Sequence, residues 1–387
     1  MAGLKRLAMA VHEEYLVTDA RGRSLTDRGP RLVDAARCEL GDLVTAGPHP
    51  AEVGVDTEPT ADSAGLRAEL AWLRGTVALA AREAGCRCVA AGAPVLPVER
   101  PAAPPLPAAA TGSSPIPLPA ASAASADHRS GPVCGCLIHI GPLDPEQALD
   151  LARHLRPWLP VIVALAANSP FAYGRDAGCA SWRSVRFGRP PVPGRPPVPG
   201  RVPMPATADP GDAAPASARR RARGDAELCC TGPSPHRPTL EVLVPDANAD
   251  LDTVVLLAAL LRGLSAALLP AVAAGAPPAA PPEPRLRRAY AYAAVHGLEG
   301  PGLDPVTGGE VSALLLLDRL VALAAPGLAA TGDQELVAGL LRQLRARGCG
   351  AARQRAVRER WGGLDAVVDA LALATSGADT SLLTPAA

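Results

Sequence analysis

His12 and Glu14 stand two residues apart in 7–17, a stretch rich in strand formers. A strand there turns both side chains to one face and Glu13 to the other. Glu241 sits in a second apolar, β-branched run, and taken alone each acid reads as a strand carboxylate. His139 lies in an apolar strand, where a satisfied core histidine and a site imidazole are both open readings. Asp176 and Arg183 can form a structural ion pair, or the guanidinium can hold a substrate carboxylate bidentately. Arg353 and Arg355 follow Gly350 and precede a helix, a place for phosphate or for plain surface charge. Cys134, Cys136 and His139, with Cys229, Cys230 and His236, invite a zinc reading. Their C-x-C-x-x-H and C-C-x5-H spacings match no standard finger or ribbon, and strand alternation turns Cys134 and Cys136 away from His139.

The elements that must carry these residues alternate between strand and helix. Residues 51–57 give a second strand. A helix with Ser63 as cap runs to Gly85, with Leu66, Leu70, Leu73 and Val77 at helical spacing. Short strands are expected at 86–91, 134–141 and 239–244, and helices at 145–155 and 158–167. From Asp252 onward the pattern is helical, with further helices at about 283–296, 311–325, 333–347 and 351–374. Stretches 98–132 and 188–224 are Pro- and Ala-rich with no period, and read as flexible insertions in a single domain spanning 1–387. The second holds a duplicated Arg-Pro-Pro-Val-Pro-Gly and a basic run, Arg219-Arg220-Arg221-Ala222-Arg223, which reads as a solvated tether. Separated, unevenly spaced strands fit an α+β sheet better than regular βαβ alternation.

Bulk properties narrow the function. Acidic and basic residues balance at 38 each, which gives no electrostatic case for nucleic acid or an anionic membrane. The apolar run 254–274 is broken by Arg262 and Pro270 and reads as a buried helix, not a membrane span. Nine cysteines with no secretory signal before them indicate reduced thiols in a cytoplasm. The apolar share is mostly Ala, Leu and Val, with two Phe, so the helices must pack closely.

Five blocks stand in order along the chain: Val11-His-Glu-Glu-Tyr15; Cys134-Gly-Cys-Leu-Ile-His-Ile-Gly141; Leu155-Arg-Pro-Trp-Leu-Pro160 through Ala167-Asn-Ser-Pro170 to Asp176-Ala-Gly-Cys-Ala-Ser-Trp-Arg183; Pro233-Ser-Pro-His236 with Thr239-Leu-Glu-Val-Leu-Val244; and Gly348–Arg355. Together they resemble the second type of glutamate–cysteine ligase, a bacterial carboxylate–amine ligase family. The resemblance implies a glutamine-synthetase-like catalytic fold, a curved antiparallel sheet with surrounding helices, whose concave face holds ATP, Mg2+ and an amino acid. It implies phosphorylation of a glutamate γ-carboxylate, then attack on the acyl phosphate by the cysteine amine. It assigns Glu14 and Glu241 to metal, Arg183 and His139 to catalysis, Arg353 and Arg355 to the nucleotide, and Asp176 and Ser181 to substrate. The partners implied are small amino acids and a second copy or an intact paralogue.

Against the family pattern several polar positions are replaced. An acid is expected where His12 and Gly54 stand, a histidine at Leu137, and arginines at Gly232 and Leu243. Removing one charge-stabilising group from such a site commonly costs about 3 kcal/mol in the transition state. Weak or altered ligation is therefore expected, and the other reading is an inactive relative acting as a binding or regulatory partner.

Overall fold

The computed structural model describes residues 7–98, 131–187 and 231–377. The two Pro-rich stretches lie outside these residues except at their margins, as do Cys229 and Cys230.

Alternation in Ala8–Asp19 (β1) is carried through the pairing. Met9, Val11, Tyr15 and Val17 are buried on one side, while His12 and Glu14 are half-buried on the other. Val44–Ala46 (β2), Glu52–Asp56 (β3), Cys86–Val89 (β4), Cys136–Gly141 (β5), Thr231–Pro233 (β8) and Leu240–Val242 (β9) complete a seven-stranded sheet. Its order is β2-β3-β1-β5-β9-β8, with β4 also on β1, and every pairing is antiparallel. Phe171–Ala172 (β6) and Arg175–Asp176 (β7) form a separate ribbon.

Helices cover the apolar face. Met9, Val11, Cys136, Ile138, Ile140, Leu240 and Val242 pack with Leu66 and Leu70 of Ser63–Glu83 (α2), Leu151 and Leu155 of Pro145–Leu155 (α3), and the buried side of Leu251–Ala273 (α6). Gly29–Leu40 (α1) was not foreseen in the sequence; its Leu32, Val33, Ala36 and Leu40 bury at helical spacing behind Pro30. Leu159–Ala166 (α4) is buried throughout, and Trp182–Phe187 (α5) is short. Glu283–His296 (α7), Ala313–Thr331 (α8), Gln334–Arg347 (α9), Gly350–Trp361 (α10) and Gly363–Thr375 (α11) complete the helices.

Four expectations need correction. Asp62, not Ser63, caps α2, accepting from the Ala64 and Gly65 amides, while Ser63 Oγ donates to Asp333. The helix expected at 351–374 is two, because Gly362 and Gly363 both take left-handed φ (68° and 79°). Arg353 and Arg355 lie inside α10, not ahead of it. α8 continues through Pro326 to Thr331.

Both α6 and α8 are long and apolar enough to cross a membrane by composition alone. They pack along each other within the core, and Arg262 of α6 is buried against Asp333. A buried, paired arginine midway along a helix suits a protein core.

A second buried pair anchors the sheet to α2. Glu13, on the apolar face, accepts from Arg74 Nε at 2.9 Å and from the Tyr15 hydroxyl at 2.7 Å. Arg74 also donates to the carbonyls of Asn248 and Ala249, each at 2.7 Å.

Candidate functional site

Residues directly opposite in a sheet share a face, and that rule assembles the site. His12 stands opposite Asp56 of β3, and His139 of β5 stands opposite Ala10 and Glu241 of β9. The face not covered by the core helices thus carries a row across four strands: Asp56, His12, His139 and Glu241. Glu14, Glu52 and Thr45 lie on the same face.

Each imidazole is oriented by its neighbours. His12 Nδ1 is 3.1 Å from Asp56 Oδ2. Burial pulls this imidazole down, but the Asp56 contact and the charges of Glu14 and Glu13 outweigh it and leave His12 above its ordinary value. Burial acts upward on Asp56, yet its bond to His12 holds it below the usual carboxylate range. His139 Nδ1 is 3.1 Å from Thr239 Oγ1 and 3.9 Å from Glu241. Burial and the nearby Arg237 hold it below its ordinary value despite Glu241.

Gly54 explains why the His12 ring fits. A Cβ at 54 would lie 2.7 Å from His12 Cε1 and 2.9 Å from Thr45 Oγ1. The imidazole fills the space a side chain at 54 would enter, so the residue types at 12 and 54 constrain each other.

Glu14 accepts the Gly135 amide at 2.6 Å, and the Arg183 guanidinium occupies the space a side chain at Gly135 would take, on the face Glu14 shares. Arg183 also donates to the carbonyls of Leu243 and Val244 at 3.0 and 3.2 Å, tying the end of β9 to the start of β5. The best-matched sequence block surrounds Asp246. This buried carboxylate accepts from the Asn168 amide, Ser169 Oγ and Ser181 Oγ at 2.8–2.9 Å, with Arg183 Nη1 at 3.9 Å. Burial raises it above the ordinary carboxylate value.

Two of the expected site residues are buried. Ser181 is fully buried and its hydroxyl donates to Asp246 at 2.9 Å. Arg353 is buried, donates to Asp250 at 2.7 Å and leaves no exposed guanidinium for a phosphate. Arg355 donates to the Cys179 carbonyl and, with Arg358, approaches Asp176 on the separate ribbon, at 3.5 and 3.7 Å. Cys134 and Cys136 are buried, and burial pushes both thiols well up.

Glu52 and Asp56 were missed, because the sequence suggested Gly54 as the vacated carboxylate position and drew attention away from its neighbours. Alternation alone places 52, 54 and 56 together; the pairing with His12 appears only in the register. The Glu52 carboxyl accepts the His49 amide at 3.1 Å, and burial pushes it up to about 7, with Glu14 adding to the rise.

The donors do not fit a hard divalent ion held by protein oxygens. Among the described residues, no three His, Cys, Asp or Glu side chains converge on one point. Glu14 is level with Gly135 and Glu241 with His139, two strands and four residues apart, or about 16 Å between Cα atoms at standard sheet spacing. They share a face but not one ion. The two best-formed cavities among the described residues are about 10 Å3 each, water-sized, and neither is lined by the polar row.

Comparison with known proteins places this geometry in context. The model of glutamate-cysteine ligase family 2 (GCS2) matches residues 11–370. A protein of Saccharopolyspora erythraea, provisionally named glutamate–cysteine ligase 2-2, is 35% identical over 396 residues, covering 96% of this chain and 93% of its own. Among solved structures, a glutamate–cysteine ligase of Francisella tularensis in complex with AMP aligns with TM-score 0.58 at 12% identity, over 96% of this chain and 88% of that one. A bifunctional glutathione synthetase of Pasteurella multocida aligns with the same score at 13% identity, over 96% of this chain and 51% of its own. The antiparallel sheet with surrounding helices is the fold these ligases share.

Proposed function

The chain belongs to glutamate–cysteine ligase family 2, and from that membership we propose that it is an ATP-dependent carboxylate–amine ligase with weak or altered activity. The observation that carries the reading is the row Asp56, His12, His139 and Glu241 on the uncovered face, with Glu14 beside it. The γ-carboxylate of glutamate attacks the terminal phosphorus of ATP, ADP departs, and an amine displaces phosphate from the acyl carbon.

His139 and Arg183 are the groups assigned to this chemistry. His139 steadies charge on the acyl phosphate. Arg183 keeps the β5 and β9 ends together beside Glu14. Glu14 and Glu241 stand far enough apart to engage opposite ends of one bound ligand. Arg355 and Asp176 pair on the separate ribbon, with a substrate-positioning role assigned to them. Magnesium would enter with the nucleotide, bound to its phosphates. The mostly buried, apolar α6, with its paired Arg262, supports a soluble protein; the cytoplasm as compartment and small amino acids as substrates belong to the same proposal.

A second reading, a non-catalytic relative that binds a ligand or an intact paralogue, is favoured by the lack of three converging acid or imidazole donors among the described residues. A coupled assay for ADP release, run with glutamate and a panel of amines, separates the two. Glutamate-dependent release supports the ligase. No release together with no nucleotide affinity supports the binding partner.

A further inference from the structure

Two opposite charges on the uncovered face stand without a hydrogen-bonding partner among the described residues. Glu241 of β9 is half-buried, and its one charged neighbour is His139 Nδ1 at 3.9 Å. Arg237, in the turn between β8 and β9, is exposed, and its guanidinium makes no ion pair or hydrogen bond to a described residue.

The turn that carries Arg237 is pinned in place. The Arg237 amide donates to Ser234 Oγ at 3.3 Å, and its carbonyl accepts the Thr239 amide at 2.8 Å. The Pro238 carbonyl accepts the Leu143 amide at 2.7 Å, and a Cβ at Gly141 would lie 2.7 Å from that same oxygen, so the turn sits on the end of β5. Arg237, Thr239 and Glu241 then follow at alternate positions, and Thr239 and Glu241 both approach the His139 ring. Arg237 acts on the same ring and on Asp56, so its charge falls on this face as well. Asp56 is engaged by His12, whereas Glu241 is not engaged. Four residues of extended chain set Arg237 and Glu241 at most about 13 Å apart at Cα.

A cation and an anion that act on one ring without bonding to each other complement a ligand carrying both charges. An α-amino acid bears them on a single carbon. Its carboxylate suits the guanidinium fork, and its ammonium offers three donors to a carboxylate. A lone phosphate would satisfy Arg237 and be repelled by Glu241, and a lone cation would meet the reverse.

We propose that Arg237 and Glu241 form the seat for the head group of an α-amino acid, Arg237 holding the α-carboxylate and Glu241 the α-ammonium. The proposal rests on reading the uncovered face as the site and names the end of it that takes an amino-acid substrate, but it does not require turnover. It gives Glu241 an ammonium in place of the dication that the surrounding donors do not fit.

The test titrates the full-length reduced protein, without nucleotide, with L-glutamate and with L-cysteine. Binding is followed by calorimetry and by imidazole NMR signals, that of His139 being identified by its loss in His139→Gln. Each amino acid is set against the analogue lacking its ammonium (glutarate, 3-mercaptopropionate) and the one lacking its α-carboxylate (4-aminobutyrate, cysteamine). The expected result is saturable binding of at least one amino acid that moves the His139 signal, with both of its analogues weaker by about tenfold or more. Arg237→Gln should lose the discrimination against the carboxylate-free analogue and keep that against the ammonium-free one. Glu241→Gln should do the opposite, and thermal melts confirm that both variants are folded. No saturable binding of either amino acid, analogues that bind as tightly as the parent, or variants that keep both discriminations or weaken all three ligands alike overturns the proposal. Because no nucleotide is present, that failure leaves phosphoryl transfer to be judged by ADP release, and a failed ADP-release assay leaves the binding result standing.

Discussion

Replacing Glu52 with Gln turns the fold's most perturbed surface-side carboxyl into a measurable pH dependence. Burial raises this group from 4.5 to about 7, helped by the neighbouring charge of Glu14. A carboxyl with a raised folded-state value contributes stability below its unfolded value, and that contribution is lost as pH rises through about 7. The rise of roughly 2.5 units, at about 1.36 kcal/mol each, sets a ceiling of about 3 kcal/mol. Glu52 is only 6% exposed, so solvent screening takes little from that figure. Glutamine keeps an oxygen to accept the His49 amide and never ionises. Urea unfolding at about pH 4.5 and pH 8 should show the variant and wild type within about 0.5 kcal/mol at the lower pH, with the variant more stable by about 2–3 kcal/mol at the higher. Two stability profiles that run parallel across that range would refute the reasoning.

Other perturbations follow from the same contacts. Arg74→Met leaves Glu13 buried and unpaired and should cost about 3–5 kcal/mol in urea unfolding, whereas a cost below about 1 kcal/mol would mean the pair is not a structural anchor. Gly54→Ala should destabilise wild type by about 1–3 kcal/mol through contact with His12 and Thr45, and cost clearly less in a His12→Ala background, where only the Thr45 hydroxyl still meets the new methyl. Additive costs in that double-mutant cycle would show that the ring does not fill the space above Gly54.

The strand carrying His12 and Glu14 was legible because 7–17 is rich in strand formers and alternates loosely. The helix α2 was legible from an apolar stripe of helical period, and α6 from an apolar run buried almost all round. The site was only half legible. Which residues share a face follows from alternation, but which of them meet depends on register across β3, β1, β5 and β9, and no local pattern encodes that. Asp56 and Glu52 were hidden for this reason. Ser181 and Arg353 show a different limit, because their burial and partners are not readable from the motifs that hold them. They sit in the best-matched blocks, but those blocks build the Asp246 and Asp250 hubs that hold the site's walls, and polar residues recurring in a motif serve a buried network as readily as a substrate.

If this face makes an acyl phosphate, heavy oxygen must pass from the glutamate γ-carboxylate to the phosphate released. Glutamate labelled with heavy oxygen in its γ-carboxylate is incubated with ATP, an amine panel and the protein, and the released inorganic phosphate is analysed by mass spectrometry. One labelled oxygen carried into phosphate, and lost in a Glu14→Gln variant, is the result predicted. Phosphate released without label, or ATP left unconsumed while the folded protein is present in excess, would contradict it.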